Sequence, residues 1–274
     1  MKLLKYSVIF WSVMYVSGIV LIYFFQARLV FAPTVLDSNY QFNFQTPFEE
    51  AYLDSDTGHK IHYLKFKNEK PKAVILFFHG NGGGLDSWGY FGQKLSEEAK
   101  SDVWILDYPG YGKSSRAFAD SGKEMVELGE ELLELVRMKY KETPIILYGR
   151  SLGSGIASAL SADASVDGLI LETPYYSTSR LAKEMFPVVP AFIFKYDLDN
   201  TKIKKAKIAK VLILHGKKDK LIPYQHALDL KNEFDKRVDL ISFSKGEHNN
   251  LSTFDDYWIS IKDYIARSSE QSTL

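Results

Sequence analysis

Apolar positions along the chain fall into one long run and several short ones. From Tyr6 to Phe25 no residue carries a charge. Twenty residues at helical rise cover roughly 30 Å, the thickness of a bilayer's hydrocarbon core. Tyr6 and Trp11 lie toward one end of the run and Tyr23, Phe24 and Phe25 at the other, where interfacial rings are expected. A cleaved signal peptide has a shorter apolar core and a small-x-small site, and no such site precedes Gln26-Ala27-Arg28. A helix apolar on every side seldom packs into a soluble core from a chain end. The pattern therefore predicts an uncleaved transmembrane anchor over residues 1–26. Lys2 and Lys5 precede the run and Arg28 follows it. This bias predicts a cytoplasmic N-terminus and an extracytoplasmic domain.

Residues 27–47 lack a sustained period and contain Pro33 and Pro47, which predicts a connector. Two short strands follow, near Glu49–Leu53 and over Ile61–Phe66, joined by a turn at Asp56-Thr57-Gly58. Then come continuous apolar runs at 73–78, 103–106, 145–148, 169–171 and 211–214, and a more alternating one at 238–243. Short unbroken runs suit strands covered on both faces. Amphipathic stretches at about 86–99, 120–140, 152–162, 224–236 and 252–267 separate them. Strand and helix alternate, so the fold class is α/β: a mostly parallel sheet flanked by helices, over residues 48–268, with a tail at 269–274. Residues 173–209 interrupt the rhythm and hold the apolar patch Met185–Phe194, the expected place for a small cap over a site.

Composition narrows the chemistry. The 274 residues carry 34 basic and 34 acidic side chains, so nothing favours a nucleic-acid partner. There is no cysteine, which excludes disulfides, a thiolate nucleophile and thiolate-bound zinc. Lys202, Lys204, Lys205, Lys207 and Lys210 follow the cap closely. They read as a solvated connector or as a basic face toward anionic headgroups.

Gly149-Arg150-Ser151-Leu152-Gly153 matches Gly-x-Ser-x-Gly, and its surroundings give it weight. A strand ends directly before it and the small-residue stretch Ser154–Ala159 follows. So tight a strand-to-helix turn needs small flanking residues and lifts the serine oxygen above the sheet. Ser151 is thus the candidate nucleophile. A serine hydroxyl needs a general base. Of six histidines, His248 lies in the polar loop Gly246–Asn250 after the last strand, at the sheet's carboxyl edge. His59 and His62 are expected to be remote, His226 a surface residue, and His79 and His215 structural. The base needs a carboxylate to fix its tautomer. Asp219, in the loop after the 211–214 strand, fits the order Ser, Asp, His. Glu172 is the runner-up, and Asp107 reads as a turn organiser. The oxyanion donors expected are the amides of Leu152 and of Asn81 in the glycine-rich loop 79–84, with Gly82 second. That loop lacks the Lys-Ser/Thr ending of a P-loop and the spacing of a dinucleotide fingerprint.

Taken together, His79–Gly82, Asp107–Ser114, Gly149–Gly153, Gly216–Pro223 and Gly246–Asn249 resemble the α/β-hydrolase superfamily over about residues 48–267. They are most similar to the membrane-anchored subgroup that includes lysophospholipid lipases and protein depalmitoylases, with serine aminopeptidase-like domains more distant. The resemblance implies an α/β-hydrolase fold, a Ser–His–Asp triad at Ser151, His248 and Asp219, an acyl-enzyme, and neither metal nor other cofactor. It implies cleavage of an ester or thioester in a lipid-like or acylated substrate at a membrane. The depalmitoylase branch has a cysteine-rich, lipidated N-terminus, and this chain has a spanning helix there instead. A peptidase and a non-catalytic scaffold remain the alternatives, and no metal ligand set or protein partner is indicated.

Overall fold

A computed structural model describes residues 1–163, 166–206, 208 and 210–271. Helix α1 spans Lys2–Val30, four residues past the expected anchor boundary. It stops where Pro33 forces its predecessor Ala32 into extended backbone. None of its most apolar window is buried against the domain. The rest of the connector is tied down rather than loose. Strand β1 (Ala32–Pro33) pairs in parallel with the two-residue strand Gly82–Gly83, and Val35 bridges to Gly112.

The domain is built on an eight-stranded sheet. Strands β2 (Phe48–Asp54) and β3 (Lys60–Phe66) form an antiparallel hairpin at one edge. Then come β4 (Val74–Phe78), β5 (Gly82–Gly83, paired only with β1) and helix α2 (Leu85–Ala99). These lead to β6 (Asp102–Leu106), α3 (Gly122–Lys139), β7 (Ile145–Arg150) and α4 (Leu152–Asp163). The chain continues through β8 (Gly168–Glu172), α5 (Thr178–Met185), β9 (Val211–Gly216), α6 (Gln225–Phe234), β10 (Val238–Phe243) and α7 (Asp255–Gln271). The spatial order is β10-β9-β8-β7-β4-β6-β3-β2, and every pairing from β10 to β6 is parallel. Helix α7 runs through 269–271, so that part of the expected tail is helical; 272–274 lie outside the described residues.

The unbroken apolar runs feed two cores at once, because successive strand side chains point to opposite faces. In β4, Val74, Leu76 and Phe78 join the cluster under α3, α4 and α6. Ile75 and Phe77 join the one under α2 and α7. β10 alternates because it is the sheet's outer strand, with half-buried residues between Val238 and Phe243.

The insertion between β8 and β9 holds α5 and two short 3-10 turns. It packs on α6 through Arg180–Asp229 and on α4 through buried Asn200, which accepts from Ser158 and donates to Ser154. It also reaches α1, through Gln26. Lys202, Lys204 and Lys205 are exposed, Lys210 pairs with Asp239, and Lys207 lies outside the described residues.

Candidate active site

All the candidate residues follow the carboxyl ends of parallel strands, where the topology opens a crevice. Ser151 sits between the last residue of β7 and the first of α4, at φ 50°. A non-glycine residue there is strained and held by its surroundings. Its amide donates to the Glu172 carbonyl at 2.9 Å. The glycines on either side are steric requirements. A Cβ on Gly153 would stand 2.0 Å from the Phe78 carbonyl oxygen, and one on Gly149 2.4 Å from that of Gly153. The elbow is thus wedged against the end of β4.

His248 Nε2 lies 3.1 Å from Ser151 Oγ, and its Nδ1 lies 2.7 Å from Asp219 Oδ2. A carboxylate can only accept, so Nδ1 bears the proton and Nε2 is free to take one from the serine. Asp219 is fixed in turn: its Oδ1 accepts from the amides of Leu221 and Ile222, both at 2.9 Å. Burial pushes the Asp219 carboxyl up. Hydrogen bonds from His215 and His248, the charge of His248 and the Ile222 amide outweigh that and hold it well below the usual carboxylate range. The acid therefore stays ionised beside the imidazole. An open cavity of about 310 Å³ lies beside His248, lined by Lys218, Lys220, Leu221, Glu247, Asn249 and Asn250.

The glycine-rich loop also comes close. A Cβ on Gly80 would lie 3.7 Å from the Ser151 Cβ. Next to it, Asn81 accepts from the Tyr111 hydroxyl and gives its side-chain amide to the Val30 carbonyl at 2.6 Å. Leu152 is the first residue of α4, and amides of a first helical turn have no partner within the helix.

A match to the family model described as alpha/beta hydrolase fold covers residues 73–208. Protein bem46 of Schizosaccharomyces pombe is 26% identical over 97% of this chain and 94% of its own length. The chain belongs to the α/β-hydrolase superfamily. The human alpha/beta hydrolase domain-containing protein 17B is 28% identical over 72% of this chain and 67% of its own. A solved Pyrococcus furiosus esterase shares the fold at TM-score 0.69 and 14% identity, over 88% of this chain and 98% of its own. The family places the chain among hydrolases.

Within this α/β-hydrolase one of the remaining histidines is placed otherwise than expected. His226 is fully buried, not a surface residue. Its Nδ1 accepts from the Tyr176 amide at 3.0 Å, and its Nε2 faces Glu184 at 3.0 Å. His62, in the early hairpin, is buried between Asp107 at 3.2 Å and Glu50 at 3.1 Å. Asp107 also accepts from the Leu85 amide, so it organises the start of α2. His215 Nε2 donates to the Ile222 carbonyl at 3.0 Å and braces the Asp219 loop.

Glu172, the runner-up acid, is spoken for elsewhere. It pairs with Arg150 at 3.3 Å and accepts from the hydroxyls of Tyr148 and Tyr257, both at 2.8 Å. Arg150, the variable residue of the pentapeptide, was not among the sequence candidates. In the sheet Arg150 stands opposite Glu172, a pairing that the lengths of the apolar runs 145–148 and 169–171 do not reveal.

Proposed function

We propose that the chain is a membrane-anchored serine hydrolase that cleaves ester or thioester bonds in lipid-like or acylated substrates. The carrying observation is the continuous hydrogen-bonded relay from Ser151 Oγ through His248 to Asp219. On this reading His248 Nε2 takes the Ser151 proton as the oxygen attacks the acyl carbonyl. The amides of Leu152 and Asn81 stabilise the oxyanion. His248 then returns the proton to the leaving alcohol or thiol. Water, activated by the same imidazole, releases the acid and restores Ser151.

The membrane part of the reading rests on α1. Its best window has a mean hydropathy of 2.2 and is unburied, whereas a core helix would be covered. Lys2 and Lys5 before the span favour a cytoplasmic N-terminus with the catalytic domain on the other side.

The test is turnover by the full chain in detergent or nanodiscs. Acyl esters and acyl thioesters of matched chain length are compared with aminoacyl amides. The reading predicts release of fatty acid from the first two at rates far above the amides. Amide cleavage alone would make the chain a peptidase and contradict it.

A further inference from the structure

We infer that the apolar segment Met185–Phe194 lies in the hydrocarbon layer of the bilayer, packed along α1. The inference rests on the anchor reading above and adds a second membrane-embedded element to it.

The segment has ten consecutive residues without a charge, bounded by Glu184 and Lys195. Phe186, Val188 and Phe192 are 53%, 72% and 87% exposed, an apolar concentration that water disfavours. Its position relative to α1 identifies what covers it. The Tyr15 hydroxyl donates to the Val188 carbonyl at 2.8 Å. Eleven residues further along α1, Gln26 donates to the Ile193 carbonyl at 3.1 Å and accepts from the Lys195 amide at 2.8 Å. Lys195 Nζ stands 4.4 Å from the centre of the Tyr23 ring. Segment and helix therefore run parallel, 188 to 195 alongside 15 to 26, over about 16 Å of helix axis. Tyr15 is central in the uncharged run Tyr6–Phe25, so the medium around it also surrounds Val188. Lys195 lies level with Gln26 and near Arg28, where the run ends and an interface belongs.

Non-helical backbone at membrane depth must find its hydrogen bonds inside the protein. This segment meets much of that demand. Pro187 and Pro190 have no N–H to satisfy. The amides of Val189, Ile193 and Phe194 donate to Phe186, Pro190 and Ala191 within the segment. Two carbonyls are capped by the side chains of Tyr15 and Gln26 on α1. The end of the same helix is fastened to the active-site loop by Asn81 and by the β1–β5 pairing.

The chain contains no cysteine, so single cysteines can be placed without background. Phe192→Cys, Val13→Cys on α1 and Lys236→Cys after α6 are made in the full chain. Each is labelled with an environment-sensitive nitrobenzoxadiazole and reconstituted in phosphatidylcholine nanodiscs. The expected result is blue-shifted emission at 192 and 13, quenched by doxyl groups on the acyl chains and protected from aqueous iodide. Position 236 should show the reverse. Iodide quenching at 192 with lipid quenching at 13 overturns the inference and leaves the anchor standing. Protection of 192 from both quenchers means a protein covers it, which also overturns the inference. Iodide quenching at both 13 and 192 overturns the anchor reading and the inference with it.

Discussion

Arg150 ties the nucleophile's elbow to the loop that carries the base: its guanidinium donates to the His248 carbonyl at 3.1 Å. It also donates to Asn249 Oδ1 at 3.0 Å, while Glu172 holds it from the other side. The imidazole's height above Ser151 is thus set from the position adjacent to Ser151 itself.

Arg150→Met should therefore act twice. Losing the arginine strands buried Glu172 without its counter-charge, which costs about 3 kcal/mol of stability. It also frees the His248 loop, which should lower kcat more than it raises KM. Urea unfolding and steady-state kinetics measure the two effects. Unaltered stability with unaltered kcat would show that the bridge is idle.

The strain at Ser151 makes a second prediction. Its left-handed backbone, φ 50°, suits glycine better than any side-chain-bearing residue. Ser151→Gly should unfold at higher denaturant than Ser151→Ala, by on the order of 1 kcal/mol. Conversely Gly153→Ala should destabilise by about 3 kcal/mol, because the new methyl meets the Phe78 main chain rather than a side chain that can turn away. Equal midpoints for the three variants would mean that the elbow is not strained.

Two buried histidines set a pH dependence of stability. Burial lowers the proton affinity of His79, despite opposing contributions from Asp107 and the Gly80 carbonyl. Burial likewise lowers that of His226, against Glu184. Below the unfolded value of ~6.5 the unfolded chain binds protons that these folded side chains refuse. Their contribution is therefore complete above pH ~6.5 and is lost as pH falls toward the folded values, by at most ~1.4 kcal/mol per pH unit for each. Unfolding free energies from pH 7.5 to 5 should decline, and His226→Gln should flatten the decline. A level profile would contradict this assignment.

Periodicity made the sheet legible, because the parallel strands inside the sheet are unbroken apolar runs and the gaps between them are amphipathic. The pentapeptide and the loop positions of Asp219 and His248 were legible because strand ends fix which edge they share. What stayed hidden was long-range and polar. Gln26 reads as the end of an apolar helix, yet its side chain bonds Ile193 and Lys195, residues brought near only by the insertion's path. His226 reads as a surface residue because its neighbours Gln225 and Asp229 are polar; its burial comes from the contact with Tyr176 and Glu184. Helix ends were off by a few residues: α1 runs on to Val30, and α7 is described through Gln271.

The central claim is that Ser151 forms a covalent acyl intermediate, and active-site labelling tests it most directly. The full chain is treated with a fluorophosphonate, digested and analysed by mass spectrometry, beside Ser151→Ala. The account predicts one adduct on the peptide containing Ser151, absent from the Ser151→Ala variant, whose circular dichroism should match that of the parent chain. Undiminished labelling in the folded variant, or an adduct on another residue, would contradict it.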